Sequence, residues 1–381
     1  MTVEQVYTIV NTITAEVLGE SVVVNEDLSN LVDIGRAFVN ANSLDNFVRA
    51  LNDHIGKVIF VDRVYSGRAV SVLRDGWEYG SMLEKVRANL PDATENESWD
   101  LVDGQSYDPN VFYKPSISVK FYNDRVTFEI PISITERQVK SAFSNAQQMN
   151  GLISLIHTSI ANAMTVKLDA LIMRTINAGI GETIHDAGAT RAVNLLALYN
   201  ASVPAGEAVT VATALQSPAF MRFAVYTIKN YMRRMADMST LFNIGGTPKF
   251  TPADRLHAVM LDEFKNSAEI YLYDGLNQFN TDGLRLPSGI ETVAYWQGSG
   301  TSYAFADTSS INIKTPSGDT VAQSGILCVL FDHDALGVAN LNRRVTTDYN
   351  AKAEFWNEWH KMDAGYFLDL DENFVVFYLS A

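Results

Sequence analysis

The chain has 381 residues, 47% hydrophobic and 19% charged, an ordinary globular balance with room for a large core and more than one lobe. Its 44 acids against 29 bases leave a formal charge of −15, which argues against tight sequence-specific grip on DNA or RNA and favours solubility at high concentration. A single cysteine, Cys328, excludes an internal disulfide framework. "MTVEQVYTIV" lacks the basic start of a secretory signal, and no apolar run approaches the ~18 residues of a membrane span. No membrane partner is therefore expected, and the chain is expected in a cytoplasm-like compartment.

In chain order, Val6, Ile9, Val10, Ile13 and Val17 share one helical face over residues 3–17. "SLDNFVRALNDHIG" predicts a short helix, capped by Ser43 and stopped by Gly56. "KVIFV" (57–61) reads as a strand, and 62–80 as irregular around the aromatic "DGWEYG". "SMLEKVRA" (81–88) fits a strand or a short helix. Residues 89–113 carry six acids and three turn signals and read as one long exposed excursion.

Next comes an alternating run, Ile117, Val119 and Phe121, then a second of opposite parity from Val126 through Phe128, Ile130 and Ile132 to Ile134. The change of parity requires either a tight turn at Asn123-Asp124 or a bulge, and the turn is the favoured reading. Pro131 cannot donate to a ladder, so this strand has an unpaired side. Thr135 with Gln138 forms a capping-box pattern that starts a helix at Glu136. Residues 149–178 hold one long apolar stripe from Met149 to Ile176, with Gly179 placed to follow its end. Thirty helical residues span about 45 Å, against a radius of gyration of about 21 Å for a compact chain of this length. The helix is therefore expected to run through the protein as a strut.

Residues 181–216 look weakly ordered. Residues 217–238 predict a helix with Pro218 in its first turn. "HAVMLDEF" (257–264) begins as a buried strand, and 268–325 read as short strands between glycine turns. "GILCVLF" (325–331) is a central strand. Three extended runs follow at 338–348, 352–363 and 373–379, the first two joined by a turn at Tyr349-Asn350.

The six histidines form no metal-ligand spacing with each other or with cysteine. Asp332, His333 and Asp334 are the one set suited to acid–base work, although aspartates at a strand-end turn are the commoner explanation. "GIGETIHDAGAT" lacks the Lys-Ser/Thr of a phosphate loop. Asp92, Glu95, Glu97, Asp100, Asp103 and Asp108 lack the spacing of a calcium loop. Arg222, Lys229, Arg233 and Arg234 make a basic helical cluster better suited to ion pairs than to nucleic acid, and Arg343-Arg344 read the same way. The five tryptophans include Trp77 and Trp99 in segments read as exposed, which suits interface anchors or partly buried aromatics. No catalytic, cofactor or metal site is expected.

Three stretches resemble the major capsid proteins of tailed bacteriophages with the Hong Kong 97-type fold, an α+β architecture. One runs through 63–143, from "RVYSGRAVSVLRDGWEYG" to "ISITERQVKSAF". The second is "MTVKLDALIMRTIN" in the long helix. The third runs through 331–379, from "FDHDALGVANLNRRVTTDYN" to "NFVVFYL".

The resemblance implies an N-terminal arm over 1–56, a first piece of a peripheral domain over 57–75 and an extended loop over 76–126. The peripheral domain resumes over 127–200 around a spine helix at 149–178. An axial domain takes 201–335, return strands of the peripheral domain 336–364, and a final axial strand lies in 365–381. With the arm starting near Met1, a scaffolding segment is expected to be absent or removed.

By the same resemblance, hexamers and pentamers of this chain build an icosahedral shell around double-stranded DNA, which is contacted weakly. Portal and scaffolding proteins are the implied partners, and the virion, assembled in host cytoplasm, the location. Trp77, Tyr79, Asp92, Glu95, Glu97, Trp99, Asp100, Asp103, Tyr107, Tyr349 and Asn350 are the expected intersubunit contacts. An encapsulin-like compartment shell, and more distantly an enzyme using Asp332, His333 and Asp334, are the alternatives.

Overall fold

The computed structural model describes residues 3–19, 22–41, 43–51, 70–74, 83–88, 91, 93, 95–272, 290–297 and 305–381. The strand expected at 57–61, Gly56, most of 62–80 and much of 268–325 lie outside them. Helices α1 (Val3–Leu18), α2 (Leu31–Asn40) and α3 (44–51) open the chain. They pack at home: Phe38, Phe47 and Phe143 stack with centroids 4.9–5.8 Å apart, and Val6, Val10 and Ile13 of α1 are buried in the common core. Helix α2 has no counterpart in the sequence reading. Its buried Leu31, Ile34 and Phe38 fit a helical stripe, but over only three turns.

Strands β1 (Leu73–Arg74), β2 (Leu83–Ala88), β3 (Ile117–Tyr122) and β4 (Arg125–Thr135) follow. Of the 81–88 stretch, the described residues 83–88 form a strand. No tight turn forms at Asn123-Asp124. β3 pairs with β2 in a two-stranded ribbon while β4 belongs to a different sheet, so the parity change marks a crossing between sheets. Helix α4 (Glu136–Ala142) starts at the predicted residue, with both hydrogen bonds of the Thr135–Gln138 capping box present.

The spine helix α5 runs from Ala146 to Asp186, 41 residues and about 60 Å. It does not stop at Gly179. A Cβ on Gly179 would lie 2.8 Å from the Phe374 ring, and one on Gly181 3.0 Å from Ile313, so both glycines serve close packing inside the helix. The actual cap is Ala187, in the left-handed conformation at φ 54°. The first half of α5 is amphipathic. From Leu171 to Thr183, every residue but Arg174 and Ala178 is buried, because here the helix passes between layers.

Residues 181–216 are more regular than expected: the spine helix runs on to Asp186, and β5 (Ala192–Asn194), α6 (Leu195–Ser202) and α7 (Val211–Ala214) occupy half of the remaining span. Helix α8 (Pro218–Met235) has Ser217 as N-cap and proline in its first turn. Strand β6 (Leu256–Leu261) feeds helix α9 (Asp262–Leu272), where the reading had expected short strands from 268. Then come β7 (Glu291–Val293), α10 (Phe305–Thr308), β8 (Ile311–Lys314), β9 (Thr320–Gln323) and β10 (Ile326–Asp332). The long hairpin β11 (Leu336–Asn350) and β12 (Phe355–Leu368) and the last strand β13 (Phe374–Tyr378) close the chain. Tyr349 and Asn350 are the last residues of β11. The turn is 351–354, where the Asn350 side chain accepts hydrogen bonds from the backbone of Lys352 and Ala353.

One sheet has the order β1-β11-β12-β4, the other β5-β13-β10-β6-β7. Pro131 sits on β4, an edge strand, as its missing donor requires. β10 is central and buried along its whole length. After the spine, the chain passes between the sheets at 333–335 and at 369–373. The two passages are tied together: the Asp369 amide donates to the Ala335 carbonyl at 2.7 Å and the Asp332 amide to the Asn373 carbonyl at 3.0 Å. They form the junction between the two sheets, called the hinge below for its position.

Candidate functional site

The β2–β3 ribbon projects from that hinge. Its register pairs Lys85 with Lys120, Val86 with Val119 and Glu84 with Phe121. One face therefore carries Lys85, Arg87, Lys120 and Tyr122, and the other Val86, Ala88, Ile117, Val119 and Phe121. A ribbon packed against its own domain normally turns the apolar face inward. This one is inverted: the cations face the body, while Val86 is 60% and Phe121 59% exposed.

The cations are received by the 369–373 passage. Lys85 Nζ donates to Asp369 Oδ2 at 2.7 Å and to Glu372 Oε1 at 2.6 Å. Arg87 reaches Asp371 at 3.2 Å and Glu372 at 2.9 Å. Lys120 meets Asp369 at 3.0 Å and Asp371 at 2.6 Å. Lys249, from the loop after α8, adds 2.8 Å to Glu372, and Lys85 also donates to the Asp334 carbonyl at 3.3 Å in the other passage.

Two lysines opposite one another repel, and the buried Asp369 carboxylate between them removes the conflict. Burial pulls the Asp369 pKa upward, but the hydrogen bonds and charges of Lys85 and Lys120 outweigh it and hold the carboxyl well below the usual range. Burial likewise pulls Lys120 down, and Asp371 and Asp369 reverse the sign and raise it. Burial first, then Asp369, keep the Tyr122 phenol protonated. Such a network specifies where the ribbon sits more than it adds stability, because each buried ion costs several kcal/mol of desolvation.

Beyond the ribbon the chain carries a 3-10 turn at Glu97–Trp99 and otherwise irregular backbone over 95–116. Trp99 is 93% exposed, and Leu101, Val111, Phe112 and Tyr113 are exposed as well. Glu95, Asp100 and Asp103 point to solvent. Tyr107 is exposed, its hydroxyl accepting from the Val102 amide at 3.2 Å. Trp77, Tyr79, Asp92 and the side chain of Glu97 lie outside the described residues. Tyr349 and Asn350 sit elsewhere, at the far end of β11, about 45 Å of strand from its hinge end. There Tyr349 donates to Glu136 Oε2 at 3.0 Å and packs on Trp356. The expected contact residues that are described thus divide between the 95–107 stretch and the hairpin end.

Asp332, His333 and Asp334 form the hinge turn. Asp332 accepts from the Thr251 hydroxyl at 2.8 Å and from the Asp334 amide at 2.8 Å. His333 Nδ1 lies 2.9 Å from His257 Nε2, and Asp334 pairs with Arg255. These side chains are committed to holding the turn. Among the described residues no group of three or more His, Cys, Asp or Glu is placed to hold a metal, and no helix is long and apolar enough to cross a membrane. Trp296 and Trp356 are buried, donating to the Ile326 carbonyl and to Asp45, and Arg344 pairs with Asp363. The residues that sequence reasoning missed are Lys85, Arg87 and Lys120 with Asp369, Asp371 and Glu372. Their signal was the charge on alternate residues of "LEKVRA" facing the acid run "DLDEN", visible only once β2 is known to be a strand.

The arrangement is a ribbon with an exposed apolar face, held by ion pairs to the passage between the two sheets. A solved capsid of Staphylococcus phage Andhra superposes with a TM-score of 0.53 at 10% identity, covering 84% of this chain and 86% of that one. The chain has the fold expected from the resemblance, the Hong Kong 97-type capsid fold. A bacteriophage P68 structure of head fiber and inner core protein aligns at 9% identity over 84% of this chain and 86% of that one, its TM-score of 0.48 adding no argument. No curated protein matches the chain. The profile of Phi29-like phage major capsid proteins matches residues 10–378, and the chain, a structural protein of a phage capsid, belongs to that family.

Proposed function

We propose that this major capsid protein assembles into pentamers and hexamers of an icosahedral shell that encloses double-stranded phage DNA. The observation that carries the reading is the inverted ribbon. An arm that spends its cations on its own hinge and turns Val86, Val119 and Phe121 outward is built to be covered by something else. In a shell, that cover is a neighbouring subunit, and many modest contacts of this kind hold the assembly by avidity. The family match favours a phage shell over a cellular compartment shell.

In this reading 76–126 is the extended loop. Its contact residues are Trp99, Tyr107, Glu95, Asp100 and Asp103, together with Trp77, Tyr79, Asp92 and Glu97. Tyr349 and Asn350 make a second contact at the hairpin end. The sheet around β11 and β12 is the peripheral domain and the sheet around β10 the axial domain, which gathers at the five- and six-fold axes. Residues 1–56 form the N-terminal arm, whose described helices α1, α2 and α3 pack on the core of the subunit in the single chain. A net charge of −15 keeps contact with packaged DNA weak and non-specific. Portal and scaffolding proteins complete the set of partners.

Electron microscopy of the purified chain, alone and co-expressed with neighbouring phage genes, tests this. Closed shells or capsomers with five- and six-fold symmetry are expected. A strictly monomeric chain under every condition would sink the proposal.

A further inference from the structure

A cleft of about 770 Å³ opens beside the hinge, within the roughly 300–1,000 Å³ typical of binding clefts. Three elements wall it. The spine helix supplies Arg174 and Ala178, the β8–β9 hairpin Ile313 and Lys314, and the end of β12 Tyr366 and Leu368. These walls are tied in place. Glu182 of the spine helix accepts from the Ser317 amide at 2.7 Å and from its hydroxyl at 2.8 Å, which holds the hairpin on the helix. The Tyr366 amide donates to the Asp124 carbonyl at 3.1 Å, at the crossing between the sheets.

The Arg174 guanidinium lies 5.8 Å from the centre of the Tyr366 ring, and neither Arg174 nor Lys314 makes an ion pair with a described residue. Both cations are exposed, in a chain with 44 acids for 29 bases. Ile313, Leu368 and Leu370, half-buried, give the cleft an apolar lining. We propose that it takes an extended segment of a separate protein, with one carboxylate held by the Arg174 and Lys314 charges and apolar side chains on Ile313, Leu368 and Leu370. Exposed Asp124 also belongs to the lining and repels a run of phosphates or of acids. That disfavours both a nucleic-acid strand and the acidic arm of a second copy. A site for a small molecule encloses most of it, whereas Arg174, Lys314, Asp124 and Pro316 all stay open to solvent. This contact goes beyond the shell reading and does not depend on it.

The probe is 4-benzoylbenzoate, an aromatic carboxylate that bonds covalently to neighbouring C–H groups on irradiation. On the chain expressed alone, saturable labelling of the peptides that hold Ile313 or Leu368 is expected, read by mass spectrometry. Arg174→Gln with Lys314→Gln is expected to raise the half-saturating concentration about tenfold. Lys314→Gln alone, with a smaller rise, reports the same dependence should the double variant fail to fold. The chain purified together with the products of co-expressed neighbouring phage genes is expected to lose this labelling, while the chain expressed alone keeps it, assembled or not. Labelling scattered over the surface, or unchanged when both charges are removed, overturns the site. Equal labelling with and without the other gene products, protection that nuclease removes, or protection in particles of the chain alone overturns the protein partner. None of these results bears on whether shells form, so the shell reading stands or falls separately.

Discussion

Lys85 and Asp369 are 284 positions apart and meet at 2.7 Å, joining the base of the projecting ribbon to the passage between the two sheets. Asp369 also donates its backbone amide to Ala335 in the other passage. One residue thus couples the direction of the arm to the geometry of the hinge. Charges carry most of that link, with the Tyr122 ring packed on Phe367 at 5.5 Å beside them.

Asp369→Ala leaves Lys85 and Lys120 facing each other without their shared acceptor. Breaking a buried ion network by removing one partner costs about 3–5 kcal/mol. Lys120→Ala, at a side chain 41% exposed, should cost below about 1 kcal/mol. Denaturant unfolding of the unassembled subunit measures both. The pH dependence follows from the depressed pKa. The contribution of Asp369 is complete above its ordinary value of 3.8 and is lost as pH falls through the lower folded-state value. No loss traceable to Asp369 is expected between about pH 7 and 5, and the gap between variant and wild type should narrow only in stronger acid.

Two glycines of the spine helix should respond with opposite signs. Around Gly151 an added Cβ meets nothing within 4 Å, so Gly151→Ala gains helix propensity of up to about 1 kcal/mol. Around Gly179 it meets two ring carbons of Phe374 at 2.8 Å and Leu368 at 3.3 Å. Phe374 is buried and stacks on Phe331 with centroids 5.7 Å apart, so moving its ring disturbs a packed pair. Gly179→Ala should therefore lose about 1–3 kcal/mol through overpacking. Thermal unfolding of the two variants checks this. A stabilising Gly179→Ala would mean that the helix ends near 179 in solution.

That pair also shows where the sequence was legible and where it was not. The apolar stripe from Met149 to Ile176, the Thr135 cap, the edge position of Pro131 and the central strand at 326–332 all follow from periodicity, capping chemistry or a missing donor. These are local causes. Gly179 looked like a stop because glycine after a stripe usually is one, and the reason it continues lies in Phe374, nearly two hundred residues away. The Asn123-Asp124 break was visible, but not that its two strands join different sheets. The arm was legible as an acidic excursion. Its anchor was not, because Lys85, Lys120 and Asp369 acquire meaning only after three separate segments meet.

Cys328 lies in the middle of the buried strand β10, and burial raises its thiol pKa far above the ordinary value. Thiolate is therefore scarce and reagent cannot reach it. Native protein should take up no thiol label over hours, and denatured protein one per chain. Rapid labelling of the native subunit would show that the sheet around β10 opens on that timescale.

The arm itself gives the most direct test of the proposed shell contact. Residues 95–113 contain no strand and no α-helix, and their aromatic side chains Trp99, Phe112 and Tyr113 are almost bare. Replacing 91–110 by a short Gly-Ser turn removes little buried apolar surface, and the ribbon keeps the ionic anchor at Asp369, Asp371 and Glu372. Its closing cost changes little, since loop entropy varies slowly with length. The subunit should fold with its unfolding midpoint within a few degrees of wild type. It should also lose the neighbour contacts made by Trp99 and the acids around it, so that shells fail to form or dissociate on dilution. Normal, stable particles from the shortened chain would show that the tip contributes nothing to assembly. An unfolded chain would place the tip in the core of the subunit, against the exposure of Trp99.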